Sequence, residues 1–194
     1  GSCTNDCGAG MLSGMGIVFR DADGKRFVPT GGTLGRVKTV EKSAEFAKYA
    51  DISFTAMCDV RNPLYGDNGC THIFARQKGA DDAMIGRLEA GVKAFSAAVS
   101  EALGQDFSQD EGTGAAGGLG FACRAFLDGE LKSGIETVLD LCGFDRLAET
   151  ADLVITGEGR FDYQSLMGKV IGGIVAHSGS VPVAVLSGKY RQFD

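Results

Sequence analysis

The sequence has few histidines and few prolines. It contains only two histidines, His72 and His177, and its six cysteines include no CxxC pair, so a zinc site is not expected. Prolines number only three and no low-complexity tract is present, which argues against a disordered linker. No apolar run approaches the ~18 residues of a membrane span. The opening GSCTNDCGAG has neither the basic region nor the apolar core of a signal peptide, so none is expected here.

Positive charge is also in short supply. The formal net charge is −6, which argues against nucleic acid or an anionic membrane as a partner, because both need a basic face. Cys58, Cys123 and Cys142 lie in apolar runs, so we expect reduced, buried thiols in a cytoplasmic protein.

Glycine is the residue in excess, with 30 among 194 residues, where about 7% is usual. The glycines cluster beside apolar runs. This pattern predicts tight turns and close approach of the backbone to another element or to a ligand.

The hydrophobic pattern predicts a mixed α/β fold. Strands are expected over 52–60, 152–156 and 181–187, the last two as continuous apolar runs of the kind covered on both faces. Helices are expected over 81–103, 115–129, 134–142 and 163–178, with Asp81 capping the first and Gly104 ending it. The stretch DADGK within 11–35 predicts a β-hairpin, and 152–187 is typical of a βαβ-like unit.

Polar and glycine residues follow each predicted strand. In open α/β sheets ligands bind at the carboxyl ends of strands, and carboxylates, cations and glycines there are the parts of a phosphoryl-transfer site. Blander interpretations stay open, since Asp162 suits helix capping, Asp59 suits a turn and Arg160 could simply pair with Glu158. The candidates are Asp59 and Asn62 after the first strand, Gly157, Glu158, Arg160 and Asp162 after the second, and Ser187, Gly188 and Lys189 after the third.

Glycine-rich loops supply further candidates. GTGAAGGLG, residues 112–120, matches GxGxxG but follows no predicted strand, so Gly114 and its neighbours suit either an anion site at a helix start or close helix packing. The loop GSCTNDCGAGM suits hydrogen bonding or simple N-capping, and Lys78 in RQKGAD could meet an anion or be solvated. The candidates in the opening loop are Ser2, Thr4, Asn5 and Asp6.

Five motifs together resemble the bacterial type I glycerate kinases. They are GSCTNDCGAGM, CDVRNPLYGDNG, FARQKGA, GTGAAGGLGF and ADLVITGEGRFDYQSLMGK, and their order and spacing match that family over essentially the whole chain. The sequence departs from the family where Cys3 and Cys7 replace small residues, and where Phe161 and Tyr163 replace leucine and glycine. Cys7 is expected to crowd a loop that favours glycine.

The resemblance implies an enzyme with two α/β domains that phosphorylates D-glycerate with ATP and Mg²⁺, 2-phosphoglycerate being the favoured product. It implies that residues 1–150 are mostly the smaller α/β domain with the hairpin. Residues 151–194 would then be part of a Rossmann-like domain with a parallel sheet. The chain is expected to be the middle of such an enzyme, incomplete at both ends and inactive by itself.

The resemblance also implies roles for the candidates. Asp59 would act as base or metal ligand, Glu158 as the Mg²⁺ carboxylate, and Arg160 as the contact for phosphate or the substrate carboxylate. Asn5, Asp6 and Lys78 would line the cleft. Two alternatives remain, a non-catalytic ligand-binding module and a dinucleotide-dependent oxidoreductase, and the latter needs a strand directly before Gly112. Whether the protein forms a homo-oligomer is left open.

Overall fold

The structure is a computed structural model that describes residues 2–161 and 170–190. Its contacts divide the chain into two units, Gly1–Leu131 and Lys132–Asp194. The division therefore falls earlier than the boundary after residue 150 expected from the sequence. The reason is that the helices between these two positions pack on a later helix of the second unit.

The first unit begins with a helix and a small antiparallel sheet. The bounds are Ala9–Gly14 for α1, Ile17–Arg20 for β1, Arg26–Phe27 for β2 and Thr39–Lys42 for β3. Within the sheet the strands lie in the order β2-β1-β3, and Phe19 of β1 is paired to Phe27 on one side and to Val40 on the other. The hairpin predicted from DADGK is confirmed as the β1–β2 turn, where Gly24 has φ +74°.

The remainder of the first unit is mainly helical. The short strand β4 pairs with β5, as Glu130 N donates to Phe54 O at 3.0 Å. Three 3₁₀ turns complete it, at Gly31–Arg36, Phe46–Tyr49 and Arg76–Lys78. The bounds are Thr55–Met57 for β4, Cys70–Phe74 for α2, Asp82–Leu103 for α3, Ala115–Phe126 for α4 and Glu130–Lys132 for β5.

Helix α3 contributes central residues to the hydrophobic core of the first unit. As predicted, the Asp81 side chain caps it by accepting from Met84 N at 2.7 Å, and Gly104 ends it in the left-handed conformation. Phe95 lies at its centre with no exposed surface, between Phe19 at 5.6 Å and Phe121 at 6.4 Å from ring centre to ring centre. Apolar residues recur along α3 at spacings of three and four, from Met84 to Leu103, and Met84 at the start of this apolar stripe is 40% exposed.

The second unit combines three helices with a parallel strand pair. The bounds are Gly134–Cys142 for α5, Phe144–Ala148 for α6, Val154–Phe161 for β6, Val170–His177 for α7 and Val183–Tyr190 for β7. Gly173 of α7 packs against Ile135 of α5 so closely that a Cβ on Gly173 would lie 2.6 Å from Ile135 Cγ1. This contact, with those that α6 makes to α7, explains why residues 132–150 belong to this unit.

Strands β6 and β7 differ from the sequence-based expectation in length and burial. Their parallel pairing runs from Val154↔Val183 to Phe161↔Tyr190, so each continues past the expected end at 156 or 187, because pairing with the other strand supports the extended backbone. Ile155 and Leu186 are about two-thirds exposed, so these strands are not covered on both faces in the described part. The first predicted strand is reduced to β4, which pairs with β5.

No helix within the described ranges has the length and apolar character needed to span a membrane.

Candidate functional site

The first unit contains a pocket that brings four of the predicted residues together. Its volume is about 380 Å³, which suits a small molecule. The residues that line it are Cys3, Thr4, Asn5, Asp6, Thr30, Gly31, Ala75, Lys78, Gly79, Ala80, Met84 and Leu88.

Lys78 is the cation of this pocket. It ends a 3₁₀ turn, and the chain then reverses at Gly79, whose φ is +97°. Its Nζ donates to Thr4 O at 2.6 Å, and this hydrogen bond holds the half-buried Lys78 side chain against the opening loop. An ammonium group with two remaining hydrogens can bind an anion there.

Asn5 and Asp6 serve different purposes in the opening loop. Asp6 uses both carboxylate oxygens for the start of α1, accepting from Gly8 N and Gly10 N at 3.1 Å each. These contacts agree with the N-capping interpretation of the loop, although Gly8 and not Asp6 occupies the N-cap position of α1. Asn5 donates from Nδ2 to Thr71 Oγ1 at 3.1 Å, while its buried Oδ1 has no hydrogen-bond partner among the described residues.

The glycine loop, residues 112–120, packs against the opening loop at Thr4 and Cys7. The backbones approach so closely that a Cβ on Gly117 would lie 2.1 Å from Thr4 O, and Cys7 N donates to Gly117 O at 3.0 Å. Ala116, Gly117 and Gly118 have positive φ, so the first turn of α4 is not helical. This geometry confirms close backbone packing as one role of the glycines. The helix also ends at Phe126, earlier than the expected 129.

Cys7 adopts a conformation that suits glycine. Its φ is +53°, in the left-handed region that side chains disfavour, which agrees with the expected crowding of this loop. Cys7 and Cys70 are the buried cysteines, whereas Cys142 is exposed and Cys58 and Cys123 are half-buried. The expected set of buried thiols was therefore wrong, although all six cysteines are free. Burial raises the pKa of the Cys7 thiol and raises that of Cys70 to about 11.

Asn62 and Gly114 are in contact, and their hydrogen bonds are made to groups within the protein. Gly114 N donates to Asn62 O at 2.9 Å, and Asn62 Nδ2 donates to Asn68 O at 2.8 Å. Turns occupy the residues before Gly112, so the strand required by the oxidoreductase alternative is missing there. Asp59 is exposed after β4, and Ser2 is half-buried near the start of the chain. Neither of these two described residues lines the pocket.

The second unit carries the remaining candidates within a strand. Gly157, Glu158 and Arg160 belong to β6, where Glu158 pairs with Ser187 and Arg160 with Lys189 in the backbone register. The expected loop after residue 156 was therefore wrong. Glu158 Oε2 is buried without a hydrogen-bond partner in the described part of the chain. Asp162 lies outside the described residues.

A magnesium ion is implied by the resemblance, and its fit can be tested on the side chains. Across residues 2–161 and 170–190, no group of three or more His, Cys, Asp or Glu side chains could hold a metal ion. Mg²⁺ in nucleotide sites needs only one or two carboxylates, because substrate phosphates and water supply its other ligands. The buried, unpartnered oxygen of Glu158 fits that lesser requirement.

Some pocket residues were missed in the sequence. Thr30 and Gly31 follow the hairpin, and a Cβ on Gly31 would lie 2.8 Å from Asn5 O. The PTGG cluster at 29–32 was the available signal, since adjacent glycines often mark close backbone approach. Met84 is one of the apolar residues at helical spacing in α3, and spacing alone cannot separate a core face from a pocket wall.

The chain is a mixed α/β protein with a pocket in its first unit. The model of the glycerate kinase family matches residues 1–193. The chain therefore belongs to the glycerate kinase family, as its motifs predicted.

Individual relatives agree with this assignment. The chain is 43% identical over 190 residues to a glycerate kinase of Bacillus cereus, covering 97% of this chain and 50% of that protein. It is 42% identical to the glycerate 2-kinase of Escherichia coli K12, with the same coverage. A crystal structure assigned as glycerate kinase 2 from Salmonella typhimurium LT2 superposes with a TM-score of 0.86 at 36% identity, covering 98% of this chain and 55% of that one. The chain spans about half the length of the curated relatives it matches.

Proposed function

We propose that the protein to which this chain belongs phosphorylates D-glycerate with ATP, and that the pocket of the first unit binds one of these anionic substrates. The observation that carries the proposal is Lys78, which is held at the pocket by Thr4 O at 2.6 Å within a chain whose whole length matches the family. Opposite charge at short range favours a carboxylate or phosphate there.

The proposed chemistry is an in-line transfer. A glycerate hydroxyl oxygen forms a bond to the γ-phosphorus, the bond between that phosphorus and the ADP oxygen breaks, and a base takes the hydroxyl proton. We assign the base to Asp59, whose carboxylate is exposed after β4 and is therefore accessible to a substrate hydroxyl. We favour the 2-hydroxyl as the acceptor, in line with the name of the Escherichia coli relative.

The second unit has its own assignments. Glu158 would hold Mg²⁺ through Oε2, and the ion would neutralise charge on the phosphates. We assign Arg160 to phosphate or to the glycerate carboxylate, as its residue type suits either anion. Gly157 leaves the backbone beside Glu158 uncovered by a side chain, which suits a phosphate oxygen.

The pocket can be tested first by binding. We expect calorimetry of the chain to detect D-glycerate or MgATP, and Lys78→Met to weaken that binding about tenfold or more, since one charge-assisted contact is lost. Lys48→Met is the matched control, because Lys48 also lies in the last turn of a 3₁₀ helix but not at the pocket. Equal binding by both variants would contradict the assignment of the pocket.

Turnover separates the kinase from the binding module. In the full-length protein, ADP release should depend on D-glycerate, and ³¹P NMR of the product should show phosphate on the 2-hydroxyl. Asp59→Asn and Glu158→Gln should each lower kcat by at least about 100-fold. Binding without any turnover would support the non-catalytic alternative instead.

A further inference from the structure

Glu89 is a buried carboxylate that the proposed chemistry does not use. It lies on the inner face of α3 and is only 6% exposed. Its Oε2 is buried and has no hydrogen-bond partner among the described residues. Burying a carboxylate with an unsatisfied oxygen costs stability, so the first unit keeps Glu89 against a penalty that a leucine would not have.

The other oxygen of Glu89 holds a loop. Its Oε1 accepts a hydrogen bond from Gly66 N at 2.8 Å and lies 3.2 Å from Lys93 Nζ in a salt bridge, one turn further along α3. Lys93 Nζ in turn lies 5.7 Å from the ring centre of Tyr65. Two adjacent loop residues, Tyr65 and Gly66, are thus bound to the same pair of charges on α3.

Gly66 connects this anchor to helix α2. Its φ is +100°, and its carbonyl oxygen is shared by Gly69 N at 2.8 Å and His72 Nδ1 at 2.9 Å. Gly69 precedes α2 and leaves no room for a side chain, since a Cβ there would lie 2.4 Å from Tyr65 Cα. The loop at 61–69 is therefore held at both the N–H and the carbonyl of Gly66.

Both ends of this loop lead to candidate site residues. At its start, Asn62 bonds Asn68 O within the loop and accepts from Gly114 N of the glycine loop. Beyond its end, Thr71 in the first turn of α2 accepts from Asn5 Nδ2, and Asn5 lines the pocket. A displacement of Gly66 would reach Asn62 within the loop and Asn5 through α2.

We propose that Glu89 is a positioning residue of the pocket, which fixes the loop at 61–69 through Gly66 N and thereby sets the places of Asn62 and Asn5. It acts as a hydrogen-bond acceptor on the backbone and touches no substrate. The placement of the loop does not depend on the reaction, whereas its effect on ligand affinity rests on the proposed function.

Two nearly isosteric variants test the proposal. Glu89→Gln keeps an acceptor for Gly66 N, whereas Glu89→Met fills the same space without one. We expect amide exchange at Gly66 to be slow in the wild type and in Glu89→Gln, and at least about tenfold faster in Glu89→Met. The Asn5 and Asn62 side-chain amide signals should move in Glu89→Met and stay near wild type in Glu89→Gln. Glu101→Gln and Glu101→Met are the matched controls, being changes at an exposed carboxylate of the same helix.

Ligand affinity supplies the second readout. Glu89→Met should weaken D-glycerate or MgATP binding about tenfold, with rescue by Glu89→Gln to within about threefold of the wild type. Fast exchange at Gly66 in the wild type overturns the proposal without any variant. So does a Glu89→Met protein with unchanged Asn5 and Asn62 signals, or a Glu89→Gln protein that behaves like Glu89→Met. A wild type that binds neither ligand contradicts the proposed function alone, because the exchange and side-chain signals still test the placement.

Discussion

The two units differ in how far their apolar side chains are buried. In the first, Phe19, Phe95 and Phe121 have no exposed surface and pack ring against ring. In the second, Leu141 and Ile155 are largely exposed. The described part of the second unit does bury Leu139 and Ile171, and it adds a parallel strand pair and polar contacts between its helices. The comparison teaches that stacked aromatic rings are the distinguishing contacts of the first unit, whereas polar contacts are prominent in the described part of the second.

Those polar contacts centre on His177. Its Nδ1 lies 2.7 Å from Asp145 Oδ1 and its Nε2 lies 2.6 Å from Glu136 Oε2. A single imidazole ring thus joins α5, α6 and α7. Both ring nitrogens can donate at the same time only when the ring is protonated, so this pair of contacts depends on pH, unlike the aromatic core of the first unit.

The largest expected effect tests the closed core. We expect Phe95→Ala to destabilise the first unit by about 3–5 kcal/mol, because it removes a fully buried ring and leaves a cavity. Urea unfolding followed by NMR signals of each unit measures the change. Leu141→Ala, at the exposed surface of α5, is the control and should cost within about 0.5 kcal/mol. Similar losses in both variants would show that the comparison between the units is wrong.

The second expected effect concerns pH. Hydrogen bonds to Asp145 and then to Glu136 raise the pKa of His177. Protonation is therefore favoured in the folded state, and the stabilisation is complete below about pH 6.5, the ordinary value in an unfolded chain. It should be lost as pH rises through the raised pKa. Urea midpoints of the second unit should fall over that range.

The control for this pH effect is the other histidine. His177→Asn should flatten the pH dependence of the second unit, whereas His72→Asn in the first unit should leave it unchanged. A wild-type midpoint that stays constant from about pH 5 to about pH 9 would remove His177 from the account of how the second unit is held together.

The smallest expected effect lies on the exposed strand. Ile155→Thr keeps a β-branched residue in β6 and removes exposed apolar surface, so we expect a stability change within about 0.5 kcal/mol. Light scattering should show less self-association than in the wild type. A loss above about 2 kcal/mol would instead place Ile155 in a packed environment, and the contrast between the units would narrow.

Much of the fold could be predicted because local signals were strong. Helix α3 has both a regular apolar stripe and clear capping residues, and DADGK is a strong hairpin signal. The continuation of β6 to Phe161 could not be read from GEGRF, because the support comes from pairing with β7, which is distant in sequence. The place of residues 132–150 depends in the same way on packing against α7.

The candidate site was predictable where chemistry was visible in the sequence. Thr4, Asn5, Asp6 and Lys78 line one pocket, although both oxygens of Asp6 accept from backbone N–H groups at the start of α1. Glu89 could not be found, because on a helical pattern it is only a polar residue next to the apolar stripe. Its burial arises from the loop at 61–69 folding over α3, which no local pattern reports.

The contact between the glycine loop and the opening loop has a consequence for redesign of the pocket. One wall consists of backbone resting on backbone, with Gly117 against Thr4 O and Gly31 against Asn5 O. Mutagenesis at these glycines would disrupt the wall rather than reshape it. Met84 and Leu88, which line the pocket from helix α3, carry side chains that can be exchanged for larger or smaller ones. Libraries that aim to change ligand preference should therefore vary this helical wall and leave the glycine-braced wall constant.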